Sequence, residues 1–183
     1  MPLQLITPPA IEPVTLDEAK AHLKVDTAAD DALITSLIAA ARARAEWHMG
    51  RALITQSWTL WLDCWPDVIE IPLPPLQAVT SITAYALNDA ATVLDAATYQ
   101  VDLASSRVAL KANAAPPVNL RKLNAIAVAF TAGYGDEASD VPAPIREAIL
   151  QMIAELYANR GDANAEVSTS ALALLAPYRM VKL

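Results

Sequence analysis

The chain has 183 residues, of which 55% are hydrophobic, 5% aromatic and 18% charged, with a formal net charge of −7. That length and apolar content suit one core-forming domain carrying a β insertion, and the acidic balance disfavours a protein that reads DNA through clustered Lys and Arg. The single Cys64 excludes an intramolecular disulfide framework and fits a reducing cytoplasm. Met1-Pro2-Leu3-Gln4-Leu5 has no basic stretch leading into an apolar one, so it does not read as a signal peptide. No run approaches the ~18 apolar residues that span a membrane. Pro2, Pro8, Pro9 and Pro13 predict an extended arm over residues 1–14.

Thr15-Leu16-Asp17-Glu18 has capping-box spacing, in which the Thr15 hydroxyl and the Glu18 carboxylate each satisfy the other's backbone N–H. A short helix over 15–24 follows. Asp26-Thr27 offers the next cap, and Asp30 and Asp31 suit the positive end of a second helix over 30–49. Leu33, Ile34, Leu37, Ile38, Ala41 and Ala45 recur at core spacing. Arg42 and Glu46 stand four apart on the other side as a surface pair, and Gly50 is the stop signal. From residue 52 the apolar period falls to two, and Ile54, Gln56, Trp58, Leu60 and Leu62 share one face.

Further strands are predicted at Val68–Ile71 and Val79–Ala86, with a turn at Asn88-Asp89. Tyr99–Asp102 and Arg107–Leu110 are predicted to pair across Ala104-Ser105-Ser106. Ala125–Thr131 alternates bulky Ile126, Val128 and Phe130 with Ala127 and Ala129. Val141-Pro142-Ala143-Pro144 opens a last long helix over 144–160, with proline in its first turn. Its apolar stripe is Ile145, Ala148, Ile149, Met152, Ile153 and Leu156, and Gly161 closes it. Residues 162–170 are small and polar, as in a mobile linker. The apolar segment 171–183 ends the chain. With so few aromatic residues, the four tryptophans are expected to anchor much of the packing.

These elements predict an α+β fold: a helical bundle of three main helices, with a small antiparallel β region (53–132) inserted between the second and third. Residues 1–161 would form a single domain, and 162–183 a linker and docking tail.

No chemistry-bearing constellation stands out. Two histidines and one cysteine are too few for a convincing zinc site. His22 and His48 lie toward helix ends, Cys64 lacks a histidine nearby in sequence, and Thr131-Ala132-Gly133-Tyr134-Gly135 reads as a glycine turn ending a strand. No catalytic, cofactor or metal residue is assigned. The tail is the feature that points to a partner, because its large apolar side chains cannot bury themselves alone. It either folds back on its own domain or binds another surface. Leu172, Leu174, Leu175, Pro177, Tyr178, Arg179, Met180 and Val181 are its candidate contacts. Arg42, Arg44 and Arg51 form a local basic patch, read in isolation as a solvated helix face or, in an assembly of copies, as an inter-subunit contact for an acidic neighbour.

Taken in order, several segments resemble one family. They are Thr15–Lys20, the Asp30-Asp31-Ala32-Leu33-Ile34 helix start, Gly50–Trp58, Tyr99–Asp102, Phe130–Gly135, Val141–Ile145 and Leu174–Arg179. Together they are similar to the head–tail connector (adaptor) proteins of long-tailed phages, including the adaptor of the gene transfer agents of alphaproteobacteria. The resemblance implies a structural protein without enzymatic activity or cofactor. It implies a homo-oligomer, dodecameric in the particle, docked beneath the portal protein and receiving a stopper, head-completion or tail protein. DNA would pass through its lumen without sequence-specific binding, and the C-terminal segment would clasp the portal. The setting would be the bacterial cytoplasm during assembly and then the head–tail interface of a phage or phage-like particle, with no membrane. Two other readings stay open from the residues. One is a DNA-binding regulator, since the first two helices have helix-turn-helix-like spacing although the second opens on two aspartates. The other is a small hydrolase whose site is assembled only by folding.

Overall fold

In the computed structural model the described residues are 2–159 and 168–180. They form two compact units, one comprising the chain up to Pro9 with Thr55–Tyr134, the other Ala10–Ile54 with the chain from Gly135 onward. The first holds the strands and the second the α-helices.

The β unit is built on a five-stranded antiparallel sheet in the order β1-β2-β8-β4-β5. These strands are β1 (Leu3–Thr7), β2 (Gln56–Leu62), β4 (Leu76–Tyr85), β5 (Ala91–Val93) and β8 (Ile126–Ala132). A three-stranded sheet in the order β3-β7-β6 accompanies it, from β3 (Ile69–Glu70), β6 (Tyr99–Asp102) and β7 (Arg107–Leu110). β8 is central, and its bulky alternate residues pair across both neighbours. Val128 lies opposite Leu60 and Ile82, and Phe130 opposite Trp58 and Val79. Ile126, Val128 and Phe130 are buried, as a period-two strand covered on its bulky face requires.

The expected extended arm is an edge strand. The stretch between Pro2 and Pro8 is free of proline, so its N–H groups can join a ladder, and the flanking prolines are tolerated where a strand has one open side. Leu3 stands opposite Leu60, and Trp61 N–H donates to Pro2 O at 3.0 Å. The β region is therefore completed from the N-terminus and is not a simple insertion between helices.

Among its described residues the helical unit contains four α-helices where three main ones were expected: α1 (Leu16–Leu23), α2 (Asp31–Met49), α3 (Ala143–Ala158) and α4 (Thr169–Leu175). The capping box of α1 forms as predicted, with Thr15 N–H donating to Glu18 Oε2 at 2.8 Å and Glu18 N–H to Thr15 Oγ1 at 3.2 Å. The cap of α2 is Asp30 rather than Asp26-Thr27, and it makes no side-chain capping bond. Its carboxylate instead accepts the Tyr157 hydroxyl at 2.5 Å, and Asp31 pairs with Lys20 at 2.6 Å. α2 ends where Gly50 adopts φ 67°, a left-handed cap that costs any L side chain strain.

Ile34, Ile38, Ala41, Ala45 and Met49 of α2, and Ile145, Ala148, Ile149, Met152 and Ile153 of α3, are buried where the two helices pack. The fully buried alanines admit close approach, so the larger isoleucines and methionines supply most of the buried area. The tryptophans do not anchor the core. None of the four is fully buried, and Trp47 is 85% exposed. The predicted stop at Gly161 and the linker residues 162–167 lie outside the described residues. Residues 168–170 are the cap and first turn of α4.

Candidate interface surfaces

Of the three predicted arginines, Arg51, just past the C-terminal end of α2, is the one that meets the tail. Arg42 is held within its own unit: Nε donates to Glu12 Oε2 at 2.7 Å and Nη1 to Glu46 Oε2 at 2.6 Å, with the Arg42 side chain only 14% exposed. The other Glu46 oxygen accepts Leu53 N–H at 2.9 Å. The expected surface pair is thus a half-buried network joining residue 12, α2 and the segment after Gly50. Arg51 Nε donates to the Tyr178 carbonyl at 2.5 Å. Arg44 is exposed and has no ion-pair partner among the described residues.

The tail lies on the helical unit. Ser168 caps α4 by accepting from Ser170 N–H and Ala171 N–H, and its own N–H donates to Glu155 Oε2 at 2.8 Å. Ser170 Oγ donates to Gln151 Oε1 at 2.8 Å. These bonds tether α4 to α3, and Ala171 and Leu175 are completely buried. Beyond α4, Met180 N–H donates to Met49 O at 2.9 Å. A Cβ on Gly50 would stand 3.6 Å from Met180 Cβ, an ordinary contact, so only the Gly50 backbone conformation demands glycine. Of the predicted contacts, Leu175 is buried, Leu172, Leu174 and Tyr178 are half-buried, and Pro177, Arg179 and Met180 are exposed. Val181 lies outside the described residues.

Charge on these units is organised locally. The Glu18 pKa is lowered, chiefly by the Thr15 backbone N–H; burial opposes this, while the Thr15 hydroxyl and Arg146 assist it. In the β6–β7 hairpin, Asp102 Oδ2 accepts Arg107 Nη2 at 2.9 Å and Oδ1 accepts Ser105 N–H at 3.0 Å. The Arg107 bond first, and the Ser105 N–H second, pull the Asp102 pKa down to about 2. Among the described residues no group of three or more His, Cys, Asp or Glu is placed to hold a metal ion, and no helix is long and apolar enough to cross a membrane.

Sequence reasoning missed Trp47. The available signal was its α2 face: Ala32, Ser36, Ala40 and Ala43 precede it at helical spacing, and no Lys or Glu solvates that line.

Compared with known proteins, the sequence profile of the phage gp6-like head-tail connector protein family matches residues 13–113, more than half of the chain. No match is found among curated proteins. Solved structures contain similar chains, among them the following three. One is the neck of an empty GTA particle computed with C6 symmetry; its chain is 26% identical, the alignment covers 100% of this chain and 97% of that one, and the TM-score is 0.85. A second is the virion of a native gene transfer agent (GTA) particle, at 26% identity, the same coverage and TM-score 0.84. The third is the neck of a native GTA particle computed with C12 symmetry, at 25% identity, the same coverage and TM-score 0.83.

Proposed function

The chain belongs to the phage gp6-like head-tail connector family, and from that premise we propose that it is one subunit of a ring in the neck of a phage-like particle. Its role is structural and not enzymatic, as for its family and structural neighbours. The observation that carries the reading is likeness over the whole chain to subunits of a gene transfer agent neck, at a TM-score of 0.85. The C12 symmetry of one such neck supports a ring of twelve copies.

In this reading the ring sits below the portal, continues the DNA channel and receives the stopper or tail. Its net charge of −7 suits a passage in which DNA is repelled from the wall and slides. The exposed end of the tail, Pro177, Arg179 and Met180, together with half-buried Leu172, Leu174 and Tyr178, contacts the portal or a neighbouring subunit.

The test is particle assembly in cells from which the chain has been removed. The expected product is DNA-filled heads without tails, restored by the full chain. A truncation after Leu175, which retains the buried residues of α4, should not restore them. Normal yields of tailed particles without the chain would overturn the connector role.

A further inference from the structure

The exposed face of α2 has the composition of a contact surface. Its outward residues are Ala32, Ser36, Ala40, Ala43, Arg44 and Trp47. The Ser36 hydroxyl is turned back onto its own helix, donating to Leu33 O at 2.7 Å, so it offers little to solvent. Trp47 closes the line at 85% exposure, the highest among the exposed large apolar residues. A rigid, exposed indole at the end of a line of small side chains has the size and shape of an interface anchor.

The charge on this face is equally selective. The acids of α2 are engaged elsewhere, Asp31 with Lys20 and Glu46 with Arg42, which leaves Arg44 as its exposed charge. The complementary surface lies on the same unit, just before and within α3. Asp136, Glu137, Asp140 and Glu147 are exposed there, and none has a cation partner among the described residues. α2 and α3 pack through their buried stripes, so residues 36, 40, 43 and 47 lie on the side of α2 turned away from α3. Two different surfaces of opposite charge on one unit are what a head-to-tail repeat of identical subunits needs.

We propose that the Trp47–Arg44 face of α2 docks on the acidic α3 side of a second copy of this chain, with Trp47 as the anchor. The proposal rests on the ring reading above and names the surfaces through which copies meet.

The experiment is sedimentation velocity of the full chain, from micromolar to about 1 mM, on the wild type, Trp47→Ala, Trp47→Phe and Arg44→Glu. The wild type is expected to self-associate. Trp47→Ala should weaken association at least tenfold and Arg44→Glu at least threefold, while Trp47→Phe stays within about threefold because it keeps a large ring. Thermal melts at a concentration below the association range should be alike for all four, since both side chains are exposed. A wild type that remains monomeric throughout overturns the proposal. So do variants that associate as tightly as wild type. The connector role is decided separately: tailless heads in cells lacking the chain would uphold it whichever way the association data fall.

Discussion

Leu175→Ala probes whether the tail belongs to the helical unit. Leu175 has no exposed surface, and α4 packs on α3. Truncation to alanine removes the transfer free energy of the lost methyl and methylene groups and leaves a cavity, a combination that costs ~2–5 kcal/mol in well-packed cores. α4 has only seven residues, so it can settle partly into the space. That places the expected loss toward the lower part of the range, about 2–3 kcal/mol. Leu174→Ala is the internal control, because that side chain is half-buried and should cost about 1 kcal/mol or less. The chain has two compact units, so one overall unfolding curve does not isolate the effect. Hydrogen exchange of the α3 amides follows the helical unit by itself. If Leu175→Ala leaves α3 protection unchanged while Leu174→Ala lowers it, the docking of α4 described above is wrong.

Two further outcomes follow from the charge networks. Arg42→Ala removes bonds to Glu12 and Glu46 together, at 2.7 and 2.6 Å on a side chain 14% exposed; an expected loss of about 2 kcal/mol lies between a surface pair and a buried one. Chemical denaturation followed by helical circular dichroism checks it, and a change below ~0.5 kcal/mol would mean the network behaves as an ordinary surface pair. For Asp102 the folded pKa is about 2 against a reference of 3.8, so the stability it contributes is complete above the reference value and disappears as pH falls through the folded one. A carboxyl-carbon NMR titration should place its midpoint near 2, and a midpoint at 3.8 would refute the Arg107 and Ser105 contacts as the cause.

What was legible in the sequence was local. The β6–β7 hairpin, the Thr15–Glu18 capping box and the Gly50 stop depend on neighbours within a few residues, and each forms as read. β1 was hidden because four prolines in the first 13 residues outweigh a five-residue segment with only three apolar side chains, and Leu3 pairs with Leu60, more than fifty residues away. The Asp30 cap was hidden for a similar reason: its carboxylate is taken by Tyr157, 127 positions along the chain. Helical spacing placed Ala41 and Ala45 in the core and left Ala43 outside it, as found, but spacing says nothing of what an exposed face contacts, so the α2 face ending in Trp47 read as ordinary helix surface. At the tail the sequence identified the apolar residues. Burial of Leu175 beside exposure of Pro177, Arg179 and Met180 depends on how α4 sits on α3, which sequence spacing does not specify.

The same charge distribution constrains which surfaces can meet in a ring. Every copy carries a net charge of −7, so a contact between two faces chosen at random sets carboxylates against carboxylates. Salt screens charges beyond about 8–10 Å, so copies across a ring scarcely feel one another and the penalty is decided at the contact itself. Within the helical unit, the carboxylates Glu12, Glu18, Asp31 and Glu46 are each bonded to a cation. The exposed α2 line carries none, and it ends in an indole, one turn after an arginine with no ion-pair partner among the described residues. A copy approaching there with its acidic α3 side replaces repulsion by attraction and removes the most exposed aromatic ring of the unit from water. The reverse approach, acidic side to acidic side, gains neither. That asymmetry favours repeated head-to-tail addition over a symmetric pair, and head-to-tail addition is the mode that closes into a ring.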